Sequence, residues 1–306
     1  MRHHLATDAL LHDKARGVGL CDQLARLAIQ ALIVEAELTP KPGLVDRRGP
    51  GAHHDLSLEL LWRSARTLEP HFAAIAFASI GRAADQSLRE KLASIGRDAE
   101  RAMYHATGGS NTHKGAIWSL GLLVAAAALE RSNSAQEIAA RAGTIARVPD
   151  RAQPALVTHG DIARIRYGAS GARSEAANNF PHVLEFGLPI LQQRRAAGAS
   201  EQVGRLDALL ALMSDLDDTC VLYRGGVEGL KVVKAGAQAV LKAGGYESAQ
   251  GQDLLCELNR GLIARHISPG GSADLLAATI FLDAVERRQT EICSGQSEDK
   301  ERHGTA

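Results

Sequence analysis

The sequence has few aromatic residues, few cysteines and no excess of either charge. Aromatic residues make up 4% of its 306 residues, and Lys plus Arg and Asp plus Glu number 35 each. A net charge of zero argues against a general nucleic-acid-binding protein and against a polybasic protein of the membrane surface. No apolar run reaches the roughly 18 to 20 residues that span a bilayer. We therefore expect no nucleic-acid partner and no membrane span.

The N-terminal residues and the cysteines both indicate a cytoplasmic protein. The first twenty residues contain no apolar stretch of the kind found in a secretory signal. Cys21, Cys220, Cys256 and Cys293 are far apart and form no CxxC pair. This spacing is typical of free thiols in a reducing compartment and argues against a structural zinc site.

Ala and Leu dominate the sequence, while β-branched residues are sparse, which favours helix throughout. Helical spacing of apolar residues is clear at 22–38, and 117–129 is apolar on nearly all sides, as a central buried helix would be. Further helices are expected at 57–78, 86–106, 134–146, 171–179, 182–195, 205–213, 227–241, 254–263 and 273–285. No alternating run is long enough to predict a sheet.

These patterns predict an all-α fold, a single globular multi-helix bundle. Residues 19–289 form its one domain, and the polar segments 1–18 and 290–306 are expected to be flexible. The stretch 147–160 contains Pro149 and Pro154 and is expected to connect two helical halves of the bundle.

Polar residues and glycines concentrate in five segments, each leading into a predicted helix: 39–57, 108–116, 166–180, 215–229 and 268–274. A glycine-rich loop before a helix offers unpaired N–H groups and a positive dipole end, which suit phosphate. Four of the segments also contain Lys or Arg. Together they predict a site for a ligand with several phosphates; the alternative is that Gly and Ser only cap helices and form turns.

The first of these segments follows an acid on an apolar helix face. Glu35 lies on the apolar stripe of the helix at 22–38, and Pro40 and Pro42 stop that helix on either side of Lys41. An acid on such a face is either paired by a base such as Lys41 or functional. Both alternatives stay open at this point.

The later segments suggest particular helix starts. Asn111 or Thr112 is the expected N-cap of the helix that ends near 129, which puts Lys114 in its first turn, where a cation is unfavourable unless an anion lies there. Ser272 is the expected N-cap of the last helix, and Asp274 suits its first turn, a structural role that is sufficient by itself.

The five segments resemble the triphosphoribosyl-dephospho-coenzyme A synthase family. The resemblance is carried by TPKPGLVD (39–46), GAHHD (51–55), GGSNTHKGAIWSLG (108–121), YGASGARSEA (167–176), DTCVLYRGG (218–226) and ISPGGSADLLAATIFL (267–282). They follow the family's order and cover most of the chain. TPKPGLVDRR and SPGGSADLLA look most like the malonate decarboxylase branch, with the citrate lyase branch as the competitor. The chain departs from the family pattern at Ser174 and Cys220, which bears on local geometry.

The resemblance implies a transferase that uses ATP and 3′-dephospho-coenzyme A. The ribose C1 of ATP is transferred to a ribose hydroxyl of the dephospho-coenzyme, and adenine leaves. The product is the precursor of the prosthetic group of an acyl carrier protein, here that of malonate decarboxylase. Both substrates are polyphosphates, in agreement with the cationic glycine loops.

A displacement at a ribose anomeric carbon passes through an oxocarbenium-like state, which needs a general base, a proton donor for adenine and nearby carboxylates. We assign these roles to Glu35, Asp46 and Asp55 without ordering them, with His53 as a candidate acid toward adenine. The predicted phosphate-binding residues are Lys41, Arg47, Lys114, Arg173, Arg224, Gly109, Gly225 and Gly270. Asp217 and Asp218 are predicted to position Mg²⁺, directly or through water; a solvated helix end is the alternative.

Two other functions stay open. A metal-dependent phosphohydrolase would use His53, His54 and Asp55, and it would release phosphate rather than adenine from ATP. A non-catalytic, nucleotide-binding helical adaptor would bind without turnover. The oligomeric state is also open, with a homo-oligomer as one alternative.

Overall fold

A computed structural model describes the backbone of residues 2–130, 134–152 and 158–303, and the side chains of these ranges except 2–16, 159 and 291–303. Every regular element in the described ranges is a helix; the one extended feature there is an isolated bridge between Asp46 and Gly49. The predicted all-α fold is confirmed.

The helices, in chain order, are α1 (Arg2–Glu37), α2 (Leu58–Thr67), α3 (Glu69–Ser79), α4 (Gln86–Ala106), α5 (Lys114–Leu129), α6 (Ala135–Arg147), α7 (His159–Tyr167), α8 (Gly171–Ala177), a π-helical turn (Val183–Gly187), α9 (Leu188–Ala196), α10 (Glu201–Asp215), α11 (Thr219–Lys242), α12 (Ala249–Ala264) and α13 (Gly270–His303). The division into flexible segments at 1–18 and 290–306 around one domain at 19–289 stays a prediction.

Helix α5 is the centre of the bundle, as its all-round apolar sequence predicts. It packs against α1, α3, α4, α6 and α13, and Leu120 and Leu123 on it are completely buried. Replacing either leucine with alanine would cost about 2–5 kcal/mol, because a cavity would remain in a packed core. The fixed position of α5 determines where its first turn meets its neighbours.

The segment Gly17–Glu37 of α1 is long and apolar enough to cross a bilayer by length and composition alone, although no such run was expected from the sequence. The core helix of a soluble protein passes the same test. In this fold α1 packs against α3 and α13, and Leu24, Ala28 and Leu32 are buried in the core.

Two predicted helices are divided in the structure. The helix expected at 57–78 breaks at Leu68, which ends α2 and precedes α3, with Pro70 in the first turn of α3. The helix expected at 182–195 begins as the π-helical turn and continues as α9. A proline early in a helix leaves no interior hydrogen bond unmade, so α3 starts there without penalty.

Helix α7 was not predicted, and the connection expected at 147–160 covers its first two residues. Thr158 and Asp161 form a capping box at its start, which was the available sequence signal. Of the connection expected at 147–160, residues 153–157 lie outside the described residues.

The segment 215–229 was predicted to lie before a helix, but most of it lies within one. Helix α11 begins at Thr219, and Gly226 interrupts it with φ 61° and ψ −162°. A Cβ on Gly225 would lie 2.6 Å from Cδ1 of Ile267. Gly225 therefore allows close packing of the loop before α13 against α11.

Candidate functional site

The last turn of α1 and the loop after it form a buried ion pair. The Nζ of Lys41 donates to Oε1 of Glu35 at 2.5 Å and to the Glu35 carbonyl oxygen at 2.6 Å. The exposed fractions of Lys41 and Glu35 are 1% and 7%. The pairing that the sequence offered as one alternative is confirmed. Because both charges have lost their water, each stabilises the other in the folded protein.

Asp46 fixes the loop that returns Lys41 to Glu35. Its Oδ2 accepts hydrogen bonds from the backbone N–H of Lys41 at 2.9 Å and from Nη2 of Arg48 at 2.7 Å. Gly43, in the same loop, has φ 71°, and its N–H donates to Oδ1 of Asn259 at 3.0 Å. The contacts of the Asp46 carboxylate therefore position the backbone that carries Lys41.

A third carboxylate, Asp274, comes from α13, where it lies just past the first turn because the helix begins at Gly270 and not after Ser272 as expected. It accepts a hydrogen bond from the backbone N–H of Ala116, and a Cβ on Gly115 would collide with its Oδ2. Burial raises the pKa of Asp274 well above its usual value, and the charges of Glu35 and Asp218 act in the same direction. This carboxyl group therefore favours its protonated form, which suits a proton donor.

Asp218 joins the starts of α11 and α13. Its Oδ1 accepts the N–H of Cys220 at 2.9 Å, and its Oδ2 accepts the N–H of Ser272 at 2.8 Å and the Ser272 hydroxyl at 3.0 Å. Burial raises the pKa of Asp218, and these hydrogen bonds oppose that effect. The prediction of Ser272 as an N-cap is wrong: α13 begins earlier, at Gly270, and the Ser272 side chain is bonded to Asp218.

His53 lies beside the loop before α13, where its Nε2 hydrogen-bonds with the hydroxyl of Ser268 at 2.8 Å. Burial, together with the charge of Arg224, lowers its pKa to about 4, against the opposing effect of Asp55. The imidazole is therefore neutral at pH 7 and carries no extra proton for a leaving group. Asp55 is exposed, and its Oδ1 is 3.8 Å from Nδ1 of His53.

His113 was not singled out from the sequence, although the motif GGSNTHKG contains it. It is buried before α5, its Nδ1 hydrogen-bonds with Oγ of Ser64 at 2.8 Å, and its Nε2 has no hydrogen-bond partner. Burial lowers its pKa to about 4, and the charge of Lys41 adds to this effect. A neutral histidine thus lies within electrostatic reach of the Glu35–Lys41 pair. The N-cap of α5 is His113 and not Asn111 or Thr112 as predicted. The His113 side chain makes no capping hydrogen bond, and Oδ1 of Asn111 accepts the N–H of Lys114 at 3.1 Å.

The site cluster, which we define as Glu35, Lys41, His113, Asp218 and Asp274, draws on four parts of the fold. These are the end of α1, the start of α5, the start of α11 and the start of α13. Glu35 binds the ammonium group of Lys41, Asp274 interacts electrostatically with Glu35 and Asp218, and the charge of Lys41 acts on the neutral His113. Burial strengthens these charge interactions. Such a cluster can stabilise positive charge on a bound molecule and exchange protons with it. Sequence reasoning missed Asp274, because the first-turn position expected for it already had a structural explanation.

The other predicted phosphate-binding cations lie outside the site cluster. Lys114 forms an ion pair with Glu100, its Nζ 3.0 Å from Oε2, and Arg47 forms one with Glu37 at 2.6 Å. Arg173 on α8 and Arg224 on α11 are exposed. Gly109 precedes α5 with φ 98°, Gly270 opens α13 and Gly225 lies inside α11. Their roles in phosphate binding stay predictions.

Asp217 and Asp218 do not fit a shared, directly bound Mg²⁺. Asp217 is paired with Lys234, its Oδ1 2.6 Å from Nζ, while both oxygens of Asp218 accept hydrogen bonds. No group of three or more His, Cys, Asp or Glu side chains that could hold a metal ion occurs among the residues searched, which are those the structure describes. The ring of His54 contacts the ring of His266, with 5.0 Å between the ring centroids, and does not face a metal position shared with His53.

Comparison with known proteins gives a consistent result. The family model described as "CitG: ATP:dephospho-CoA triphosphoribosyl transferase" matches residues 21–292. A "Probable 2-(5''-triphosphoribosyl)-3'-dephosphocoenzyme-A synthase" of Azotobacter vinelandii is 54% identical over 270 residues, 87% of this chain and 92% of the relative. Proteins of the same name in Pseudomonas fluorescens Pf0-1 and Pseudomonas aeruginosa UCBPP-PA14 are 52% and 57% identical, over 90% and 86% of this chain and 96% and 90% of the relatives. No solved structure matches.

Proposed function

We propose, from the premise that the chain belongs to the ATP:dephospho-CoA triphosphoribosyl transferase family, that it transfers the triphosphoribosyl group of ATP to 3′-dephospho-CoA and releases adenine. The observation that carries this proposal is the site cluster, in which Glu35 binds Lys41 and interacts electrostatically with Asp274, which in turn interacts with Asp218. Carboxylates in a dry site are what a sugar carbon with developing positive charge requires.

The proposed reaction transfers two protons, forms one C–O bond and breaks one C–N bond. A ribose hydroxyl of dephospho-CoA attacks C1 of the ATP ribose, the hydroxyl proton passes to a base, and the C–N bond to adenine breaks. Adenine keeps the bonding electron pair and takes up a proton. Glu35 is the candidate base and Asp274 the candidate acid, since burial raises the Asp274 pKa and favours its protonated form.

Lys41 and Asp46 support this chemistry by positioning. The ammonium group of Lys41 holds the Glu35 side chain through two hydrogen bonds, and Asp46 holds the Lys41 backbone. The low pKa of His53 makes it a weaker candidate for protonating adenine than Asp274 at pH 7. Asp55, which is exposed, is left with a role in holding His53.

The triphosphate requires cations outside the acidic site cluster. Lys114, Arg173, Arg224 and Arg47 are the candidates, with the N–H groups near Gly109 and Gly270. Mg²⁺ enters the proposal only as the ion that ATP carries on its phosphates, and no protein carboxylate is assigned to it.

We further propose that the product serves an acyl carrier protein of malonate decarboxylase and that the enzyme acts in the cytoplasm. TPKPGLVDRR and SPGGSADLLA support the malonate branch over the citrate lyase branch. Assay of the product with each carrier-protein system would separate these two branches.

The deciding experiment incubates the purified protein with ATP, Mg²⁺ and dephospho-CoA and follows adenine by chromatography. Replacing dephospho-CoA with coenzyme A tests whether a 3′-phosphate prevents attack by the ribose hydroxyl. Release of adenine that depends on dephospho-CoA is the expected result. Free phosphate without adenine would support a phosphohydrolase, and nucleotide binding without turnover would support a non-catalytic adaptor.

A further inference from the structure

Arg89 on α4 is a buried cation whose Nε has no hydrogen-bond partner among the described residues. It is 7% exposed, its guanidinium carbon lies 5.2 Å from the centre of the Trp118 ring, and its Nε is buried with no hydrogen bond. In the part of the chain that the structure describes, no carboxylate forms an ion pair with Arg89. A guanidinium group keeps its proton in proteins, so this charge has lost water and gained only a ring face in return.

Asp150, whose charge favours the ionised form of Arg89, is already bonded to other groups. The Oδ2 of Asp150 accepts a hydrogen bond from Nη1 of Arg97 at 2.7 Å, and its Oδ1 accepts one from the N–H of Ala152 at 3.1 Å. Burial lowers the pKa of Arg89; Asp150 opposes this, and the charges of Arg173 and Arg97 add to it. Arg89 is therefore left with an acid that Arg97 already binds, and a bound anion would balance its charge.

This arginine site adjoins the site cluster through α5. Trp118 lies three residues after Gly115, which touches Asp274, so the two positions are within about one helical turn of 5.4 Å. The indole N–H of Trp118 donates to the carbonyl oxygen of Ala172, the residue before Arg173, at 3.2 Å. Arg89 and the carboxylates thus lie near enough to contact two parts of one extended substrate.

We propose that Arg89, with Arg97 and Arg173 around it, binds phosphoryl oxygens of a polyphosphate substrate beside Trp118. The planar guanidinium fork matches two phosphoryl oxygens, and a bound phosphate supplies the charge that no protein carboxylate gives Arg89. The identity of the substrate rests on the proposed function: the phosphates are the triphosphate of ATP or the diphosphate of dephospho-CoA.

The test measures binding of inorganic tripolyphosphate to the full-length protein by calorimetry. We expect Arg89→Met to weaken binding at least tenfold, Arg89→Lys to weaken it less, and the exposed control Arg260→Met on α12 to leave it unchanged. Titration in a Trp62→Phe background, where Trp118 is the one remaining tryptophan, should change the indole fluorescence. Equal affinities of the wild type and Arg89→Met, or no binding by the wild type, would overturn the proposal.

Two further measurements keep the result interpretable. If Arg89→Met does not fold, the Trp118 fluorescence is the test. A Trp118 fluorescence that does not change when tripolyphosphate is added overturns the proposal. Binding of ATP and of dephospho-CoA to Arg89→Lys identifies which substrate supplies the phosphates, because only that affinity should fall. Arg89-dependent binding of tripolyphosphate in a protein that releases no adenine would refute the proposed function and leave the anion site standing.

Discussion

The carboxylate of Asp274 occupies the place that a side chain on Gly115 would take. A Cβ at residue 115 would collide with Oδ2 and lie 3.1 Å from Cγ of Asp274. The first turn of α5 can therefore approach α13 only with glycine at this position. The same approach lets the N–H of Ala116 reach the carboxylate.

This close approach makes Gly115→Ala a sharp test of the site cluster. We expect it to displace Asp274, to lower adenine release at least tenfold and to destabilise the fold by about 1–3 kcal/mol, the usual cost of overpacking. Gly19→Ala is the matched control, since a Cβ there meets nothing within 4 Å. Urea unfolding and the adenine assay check both variants. Wild-type activity in Gly115→Ala would show that the position of Asp274 does not matter.

Glu35→Gln removes the candidate base and the charged partner of Lys41. Adenine release should fall by about two to four powers of ten, while ATP affinity changes little. Stability should fall by about 3–5 kcal/mol, because the Lys41 ammonium stays buried without its counter-charge. The control is Glu37→Gln, two residues later, whose partly exposed pair with Arg47 contributes about 0–1 kcal/mol. Normal turnover by Glu35→Gln would exclude Glu35 from proton transfer.

Asp274 should make stability fall as the pH rises. Its pKa in the folded state is raised from 3.8, so above pH 3.8 the folded protein binds a proton that the unfolded chain has lost. Asp274→Asn removes this dependence, and its stability relative to the wild type should improve from pH 5 to pH 8. Adenine release by the variant should fall by at least two powers of ten, since an amide is no proton donor.

Urea unfolding at several pH values checks the stability effect, with the exposed residue in Asp253→Asn on α12 as control. A constant difference between Asp274→Asn and the wild type over this range would contradict the raised pKa. Full activity of the variant would assign the donation to another group.

His113 should have the opposite effect from Asp274, because it should make stability fall as the pH falls. Its pKa is lowered from 6.5 to about 4, so between these values the unfolded chain binds a proton that the folded protein does not. Stability is therefore lost as the pH falls from 6.5 to 4, by up to about 3 kcal/mol. In His113→Asn, which can keep the bond to Ser64, this acid-side loss should be smaller. The control is His105→Gln, at an exposed position of α4, whose stability should depend on pH as that of the wild type does. If the stability of His113→Asn also shows the wild-type pH dependence, His113 is not the buried neutral group described above.

The sequence predicted local structure well where interactions between neighbouring residues determine it. The helix expected at 86–106 is α4 (Gln86–Ala106), because Asp85 caps its start and its apolar spacing continues to Met103. The pairing of Glu35 with Lys41 was one of the two alternatives that the sequence left open, since the prolines after α1 return the chain within six residues. The break at Leu68 and the capping box of α7 were missed although both have sequence signals, because the first lies in a continuous apolar pattern and the second follows proline-containing sequence that was expected to be a connection.

The sequence by itself determined that this protein is helical throughout, where most helices lie and which family it resembles, since composition, spacing and motifs are properties of neighbouring residues. Only the tertiary structure decided that Asp274 joins Glu35 and Asp218, that Ser272 bonds to Asp218, and that Arg89 is buried against Trp118. Burial and charge coupling depend on what distant segments place around a side chain, and no local pattern contains that information.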